Sequence, residues 1–183
     1  SLVIPCFNEE GNIDTLIKRC SNFLANPKNE LILVNNGSTD KTEQKIDYYL
    51  KSQKIIKVSI KKNIGFGNGL KEGFKVCSGN KISYTHADNE CDPNDVLNGL
   101  KIYDQKNKEE NIILVKGKRV NKLQNGWSFV DIFMSKGMSI FESILFRMNL
   151  NDIHGQPVIF SKSFLKLLEN APNDFLLDLY IMV

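Results

Sequence analysis

No apolar run in the 183 residues approaches the ~18–20 that a bilayer-spanning helix requires, so no spanning segment is expected. No secretory leader precedes the first strand pattern, and the chain reads as cytoplasmic. CxxC pairs are also lacking: Cys6, Cys20, Cys77 and Cys91 stand far apart, which fits reduced, buried thiols and excludes a disulfide frame or a cysteine zinc site. Charge of one sign is scarce. With 24 basic and 21 acidic side chains the net charge is only +3, and the lysines are scattered, so nucleic acid is not an expected partner. Repeats are missing, and the one low-complexity stretch is a polar segment at 104–111, expected to be a loop. What remains is ordinary for one globular domain over 1–183, with 42% hydrophobic and 25% charged residues. Because it opens inside a strand pattern at Ser1 and stops inside a helical one at Val183, truncation at both ends is expected.

Runs rich in Ile, Val and Leu recur at 2–4, 31–34, 55–60, 82–84 and 112–115, with helical patterns between the earlier ones. Such alternation predicts an α/β fold with a mostly parallel central sheet flanked by helices. The first helix places Ile13, Leu16, Ile17, Cys20 and Leu24 on one stripe. A second is predicted from Asp40 as N-cap, with Glu43 completing a capping box and Ile46, Tyr49 and Leu50 buried. A third carries Leu70, Phe74 and Cys77; a fourth carries Val96, Leu97, Leu100 and Tyr103. The segment 130–150 is dense in large apolar side chains but interrupted by Lys136, Glu142 and Arg147. Two readings stay open for it: a helix packed on the sheet, or one lying in a membrane interface.

The run Tyr84-Thr85-His86-Ala87-Asp88-Asn89-Glu90-Cys91-Asp92-Pro93 ends a strand in a set of oxygen ligands and then starts a helix. Alternation puts His86 and Asp88 on one side at the carboxyl edge, with Ala87 leaving room between them. Open α/β sheets bind ligands at that edge. Mg²⁺ commonly bridges one or two carboxylates to substrate phosphates, which suits Asp88 and Glu90, with His86 as a further candidate. Asp92 reads instead as an N-cap ahead of Pro93, with Asp95 in the acidic first turn. At the end of the first strand, Pro5-Cys6-Phe7-Asn8-Glu9-Glu10 supplies an aromatic face for a nucleobase and an acid for a ribose hydroxyl or a base edge. Asn35-Asn36-Gly37-Ser38-Thr39-Asp40 follows the second strand.

Taken with Asn63-Ile64-Gly65-Phe66-Gly67, these motifs resemble those of the inverting glycosyltransferase family 2. Its openings look like P-x-Y-N-E, D-D-G-S-x-D-x-T, N-x-G-x-G and D-A-D-L-Q. The likeness is nearest to the dolichyl- and polyprenyl-phosphate sugar transferases, where a basic residue after the fifth strand precedes an interface helix and an Asp-x-x-x-Gly turn. Lys116-Gly117-Lys118-Arg119, the apolar segment and Asp152-Ile153-His154-Gly155-Gln156 occupy those places. The resemblance implies a GT-A fold over essentially the whole chain and transfer of a sugar from a nucleotide-diphosphate donor to a polyprenyl phosphate or glycan acceptor at the cytoplasmic face of a membrane. It also implies that Pro5, Phe7, Glu9, Asn35, His86 and Ala87 hold the donor. Asp88 would reach a Mg²⁺ or Mn²⁺ diphosphate, with Glu90 and His86 as further metal candidates, and Arg119 would meet the phosphates. Asp178 would face the acceptor, as general base for a hydroxyl or as the residue orienting Arg119 or Lys116.

The departures from the family pattern are Asn35, Asn36 and His86, each standing where an acid is usual. They motivate a second reading, a nucleotide-sugar-binding module with weakened or lost turnover. Gly65-Phe66-Gly67-Asn68-Gly69-Leu70 is not a dinucleotide fingerprint, because Leu70 stands in place of the third small residue. It is expected to be a turn of close backbone approach before a helix.

Overall fold

The computed structural model describes residues 1–51, 54–110, 114–120 and 128–183. Six strands form one sheet: β1 (Leu2–Cys6), β2 (Leu31–Asn36), β3 (Ile55–Ile60), β4 (Lys81–Tyr84), β5 (Leu114–Lys116) and β6 (Val158–Ser161), in the order β3-β2-β1-β4-β6-β5. β1 to β4 are mutually parallel, and β6 runs antiparallel between β4 and β5. The helices are α1 (Ile13–Arg19), α2 (Ser21–Leu24), α3 (Thr42–Leu50), α4 (Phe66–Lys75), α5 (Asp95–Glu110), α6 (Phe129–Phe146) and α7 (Leu176–Met182), with a 3₁₀ segment at Lys162–Leu168. The expected mostly parallel α/β sheet is the one observed.

β1 and β2 are buried along their whole length, because helices cover both faces. Alternation divides their side chains between two cores. Leu2, Ile4, Leu31 and Leu33 pack with Ile13, Leu16, Ile17, Phe23, Ile46 and Val96 on one face. Val3, Ile32 and Val34 pack with Leu70, Phe74, Ile82, Tyr84, Phe160 and Leu177 on the other. α4 sits unusually close to the sheet at Gly73, where an added Cβ would come within 2.4 Å of Val3 Cγ1 and 2.9 Å of Val34 Cγ2. From β1 the chain winds outward through β2 and β3, then returns to place β4 on the other side of β1. The loops leaving β1 and β4 therefore part from each other, and a crevice opens between them at the carboxyl edge.

Several local expectations are corrected. The first helix breaks at Cys20 into α1 and α2, and Phe23 joins the buried stripe. α3 starts at Thr42; Asp40 does accept the Thr42 N–H at 2.9 Å, but Glu43 is bonded to Ser59 and Lys57, so no capping box forms. Asp92 does cap as expected, its Oδ1 accepting the Asn94 N–H at 2.9 Å, although the regular part of α5 begins only at Asp95. That helix continues through 104–110, where a polar loop was expected, while position 111 and the first half of the expected strand at 112–115 lie outside the described residues. α6 is not packed on the sheet: Phe129, Phe133, Met134, Met138, Phe141, Ile144 and Leu145 are all exposed. Among the described residues, no helix is long and apolar enough to cross a membrane.

Candidate active site

The loop after β1 is pinned to the loop after β2. Asn8, in a left-handed conformation (φ 57°), accepts the Thr39 N–H at 2.8 Å, and the Glu9 N–H donates to Thr42 Oγ1 at 2.7 Å. The Glu10 N–H donates to Asp40 at 3.0 Å, and the Lys41 N–H returns to Glu10 at 2.8 Å. Phe7 is thereby held 44% exposed above the sheet edge, its ring available for stacking. After β4, Ala87 is buried in the core while Asp88 and Glu90 stand exposed. Asn89 (φ 64°) turns the chain, its carbonyl accepting from Arg19 at 2.8 Å, and Asp88 Oδ1 accepts the Glu90 N–H at 3.0 Å.

Pro5, Phe7, Glu9, Asn36, Asn63, Gly65, Phe66, His86, Ala87, Asp88 and Phe175 enclose a cavity of about 310 Å³ in this crevice. Six of the sequence-predicted residues, namely Pro5, Phe7, Glu9, His86, Ala87 and Asp88, are brought together there. Asn35 is not. It follows Leu33 onto the α1/α3 face, where its Oδ1 accepts the Ser38 N–H at 3.1 Å. The cavity residue is Asn36, which follows Val34 onto the α4 face. Its Nδ2 donates to the Gly65 carbonyl at 3.1 Å, and its buried Oδ1 has no partner among the described residues. Gly65 (φ 129°) packs against the Asn173 carbonyl, where a Cβ would lie at 2.2 Å. One wall is aromatic: Phe66 stacks on Phe175 with centroids 4.9 Å apart and contacts His86 at the same distance.

Glu90 does not line the cavity, and among the described residues no group of three or more His, Cys, Asp and Glu side chains gathers to hold a metal ion. Asp88 with His86 nearby is the donor set that remains, which fits a hard cation held by one carboxylate and a ligand's phosphates but not an all-protein cage.

A second, larger groove of about 960 Å³ runs between α6 and the segments 118–119 and 149–152. Ile132, Ile140 and Ile144 make its apolar wall, and Lys118, Arg119 and Lys136 bring positive charge. Arg119 is set by Asp152, not by Asp178. Its Nε and Nη2 reach Asp152 Oδ1 at 2.8 and 2.6 Å, and its backbone N–H reaches Oδ2 at 2.6 Å. Lys116 Nζ donates to the Asp152 carbonyl, and burial pushes its pKa down to about 8 against the pull of Asp152 and Asp178. Asp178 is fully buried, accepting from the Tyr84 hydroxyl at 2.6 Å and lying 3.0 Å from His154 Nδ1. Burial and the neighbouring carboxylate raise the Tyr84 pKa well above its ordinary value. Asn36, Phe66, Asp152 and His154 went unassigned in the sequence, although each stands inside a motif quoted there, and Phe175, three residues before Asp178, went unassigned as well.

The fold and crevice define an α/β domain whose candidate ligand site lies at a topological switch point. Residues 1–168 match the glycosyl transferase family 2 model, and the chain belongs to that family. It is 37% identical over 103 residues to an uncharacterised glycosyltransferase of Synechocystis, covering 55% of this chain and 32% of that protein. It is 28% identical over 137 residues to the dolichol-phosphate mannosyltransferase of Pyrococcus furiosus, covering 75% of this chain and 38% of that one. The matches span about a third of the length of these curated relatives. Among solved structures, glucosyl-3-phosphoglycerate synthase of Mycobacterium tuberculosis in complex with Mn²⁺, UDP-glucose and phosphoglyceric acid superposes with a TM-score of 0.72. That match has 21% identity and covers 99% of this chain and 62% of that one. The likeness carries the GT-A fold expected from the sequence.

Proposed function

We propose that the chain is the catalytic domain of an inverting glycosyltransferase, moving a sugar from a nucleotide-diphosphate donor to a polyprenyl phosphate or glycan acceptor at the cytoplasmic face of a membrane. The observation that carries this reading is the cavity at the switch point, built from the loops after β1, β3 and β4, the end of β2 and the start of α4. Phe7 offers a face for a base, Glu9 an acceptor for a ribose hydroxyl, and the unpartnered Asn36 Oδ1 an acceptor for a base N–H. A buried acceptor left unmade costs about 1–3 kcal/mol, so a base that supplies the N–H binds with that much advantage. Asp88 would hold Mg²⁺ or Mn²⁺, whose charge stabilises the leaving diphosphate. The relatives named dolichol-phosphate mannosyltransferase and dodecaprenyl-phosphate galacturonate synthase support a lipid-phosphate acceptor. So does the neighbouring groove, apolar along α6 and cationic at Lys118, Arg119 and Lys136.

The test is transfer and donor hydrolysis by purified protein with Mn²⁺ and a panel of UDP- and GDP-sugars. Asp88→Asn keeps the oxygen that accepts the Glu90 N–H, so the fold should survive while transfer is abolished. An unimpaired Asp88→Asn enzyme overturns the assignment of that carboxylate. Donor binding without turnover in the parent would favour the second reading, a binding module that lost its chemistry with the acids replaced by Asn35, Asn36 and His86.

A further inference from the structure

Asp178 is the acid expected to face the acceptor, yet it is fully buried and both its oxygens are engaged. The side chain that looks outward is its partner. His154 is 49% exposed, its Nδ1 lies 3.0 Å from Asp178 Oδ2, and its ring meets Phe175 edge-on at 6.4 Å. Phe175 lines the donor cavity, and Asp152, two residues before His154, lines the α6 groove. His154 lines neither space itself, but its ring sits against Phe175 on the cavity wall and its Nδ1 holds the buried Asp178.

A carboxylate can only accept, so Asp178 fixes His154 as the Nδ1–H tautomer and leaves the Nε2 lone pair for a proton. The hydroxyl of Tyr84, donated to Asp178 Oδ1 at 2.6 Å, keeps the carboxylate from turning away. We propose that His154 is the general base of the transfer reaction, taking the proton from the acceptor's nucleophilic O–H through Nε2, with Asp178 and Tyr84 as positioning residues. This rests on the transferase reading above. As the acceptor oxygen bonds to the sugar's anomeric carbon, its proton passes to Nε2. The bond from that carbon to the donor diphosphate breaks, and the electron pair leaves with the nucleoside diphosphate. The imidazolium that forms faces Asp178, with Glu142 of α6 also within electrostatic reach and Lys116 near Asp178. The O–H can be a sugar hydroxyl or a phosphate monoester in its monoanion form.

The test compares the parent with His154→Gln, using the donor turned over best in the panel and two acceptor probes, farnesyl phosphate and octyl glucoside. His154 is half exposed, so the variant should fold and bind donor as the parent does. Turnover with octyl glucoside should fall roughly 10²–10⁴-fold at every pH. With farnesyl phosphate the loss should appear only near and below the second phosphate pKa of about 6, above which the nucleophile is already ionised. Parent-like turnover of His154→Gln with both acceptors at pH 6 overturns the proposal. Imidazole ¹⁵N spectra give a readout independent of activity: at pH 8 the parent's His154 should show the Nδ1–H tautomer, and a dominant Nε2–H tautomer refutes the assignment. A parent that neither binds nor turns over any nucleotide sugar would sink the transferase reading, while the tautomer would still report on His154.

Discussion

Asn35 and Asn36 are chemically identical neighbours, and only the two-residue period of β2 decides that one is spent on a turn and the other on a ligand cavity. That face is legible in retrospect, since Val34 and Asn36 share a parity with the α4-side core, but the family motif drew attention to position 35. Asp152 was hidden for another reason: its carboxylate matters only because the fold brings it to Arg119, 33 residues back in the chain. The same turn holds Lys116, and there the energetics yield a prediction. Its folded pKa of about 8 lies below the ordinary 10.5, so between these values the unfolded chain binds more protons than the folded one. Folding stability attributable to Lys116 must then rise as pH climbs from 8 to 10.5, because the folded state sheds a buried charge that the unfolded state retains. Urea midpoints of the parent and Lys116→Met, followed across that interval, should converge or cross in the parent's favour. Curves that stay parallel would show that the ammonium is not desolvated.

At the scale of elements, β1 and β2 could be read from the chain because burial on both faces forces continuous Ile, Val and Leu runs, while the edge strand β3 was legible from its β-branched residues although Lys57 and Ser59 interrupt it. β6 was not anticipated; its four residues follow a long irregular segment, and their apolar pattern cannot be told from the end of a helix. α6 was seen as an element but not in its setting, because a helix that is apolar around most of its surface fits burial in a core or in a lipid interface equally well. Among the described residues it makes no substantial contact with the sheet or another helix, and Phe141 is 60% exposed and Ile144 74%. Core positions lose about 2–5 kcal/mol when a large apolar side chain is truncated, whereas exposed ones change by about 0.5 or less. Replacing Phe141 and Ile144 by serine should therefore leave the melting temperature nearly unchanged while reducing co-sedimentation with anionic liposomes, which Lys118, Lys136 and Arg147 would attract. A large drop in stability with unchanged sedimentation would assign the helix to a core.

The whole molecule is tied together through the site. Residues from Pro5 to Phe175 line one cavity, so a donor bound there would bridge the loops after β1, β3 and β4 and the segment before α7, which meets α4 through the Asn68 N–H on the Asn173 carbonyl at 2.8 Å and Lys71 on the Ala171 carbonyl at 2.7 Å. A ligand that binds only the folded chain stabilises all of it, by about 2.7 kcal/mol at one hundred times its Kd. For a domain of this size that corresponds to roughly 5–10 °C in melting temperature. Part of that shift should pass through the metal, because the diphosphate and Asp88 repel each other unless a cation lies between them. In the parent, chelation with EDTA should therefore cut the shift produced by the nucleoside diphosphate. In Asp88→Asn the shift should already be reduced, and EDTA should lower it little further, since the carboxylate through which the metal would act is gone. Equal losses on chelation in both proteins would place the cation away from Asp88 and leave that residue a role in orienting the sugar. No shift with any nucleoside diphosphate would mean that the cavity does not bind the donor for which its geometry is suited.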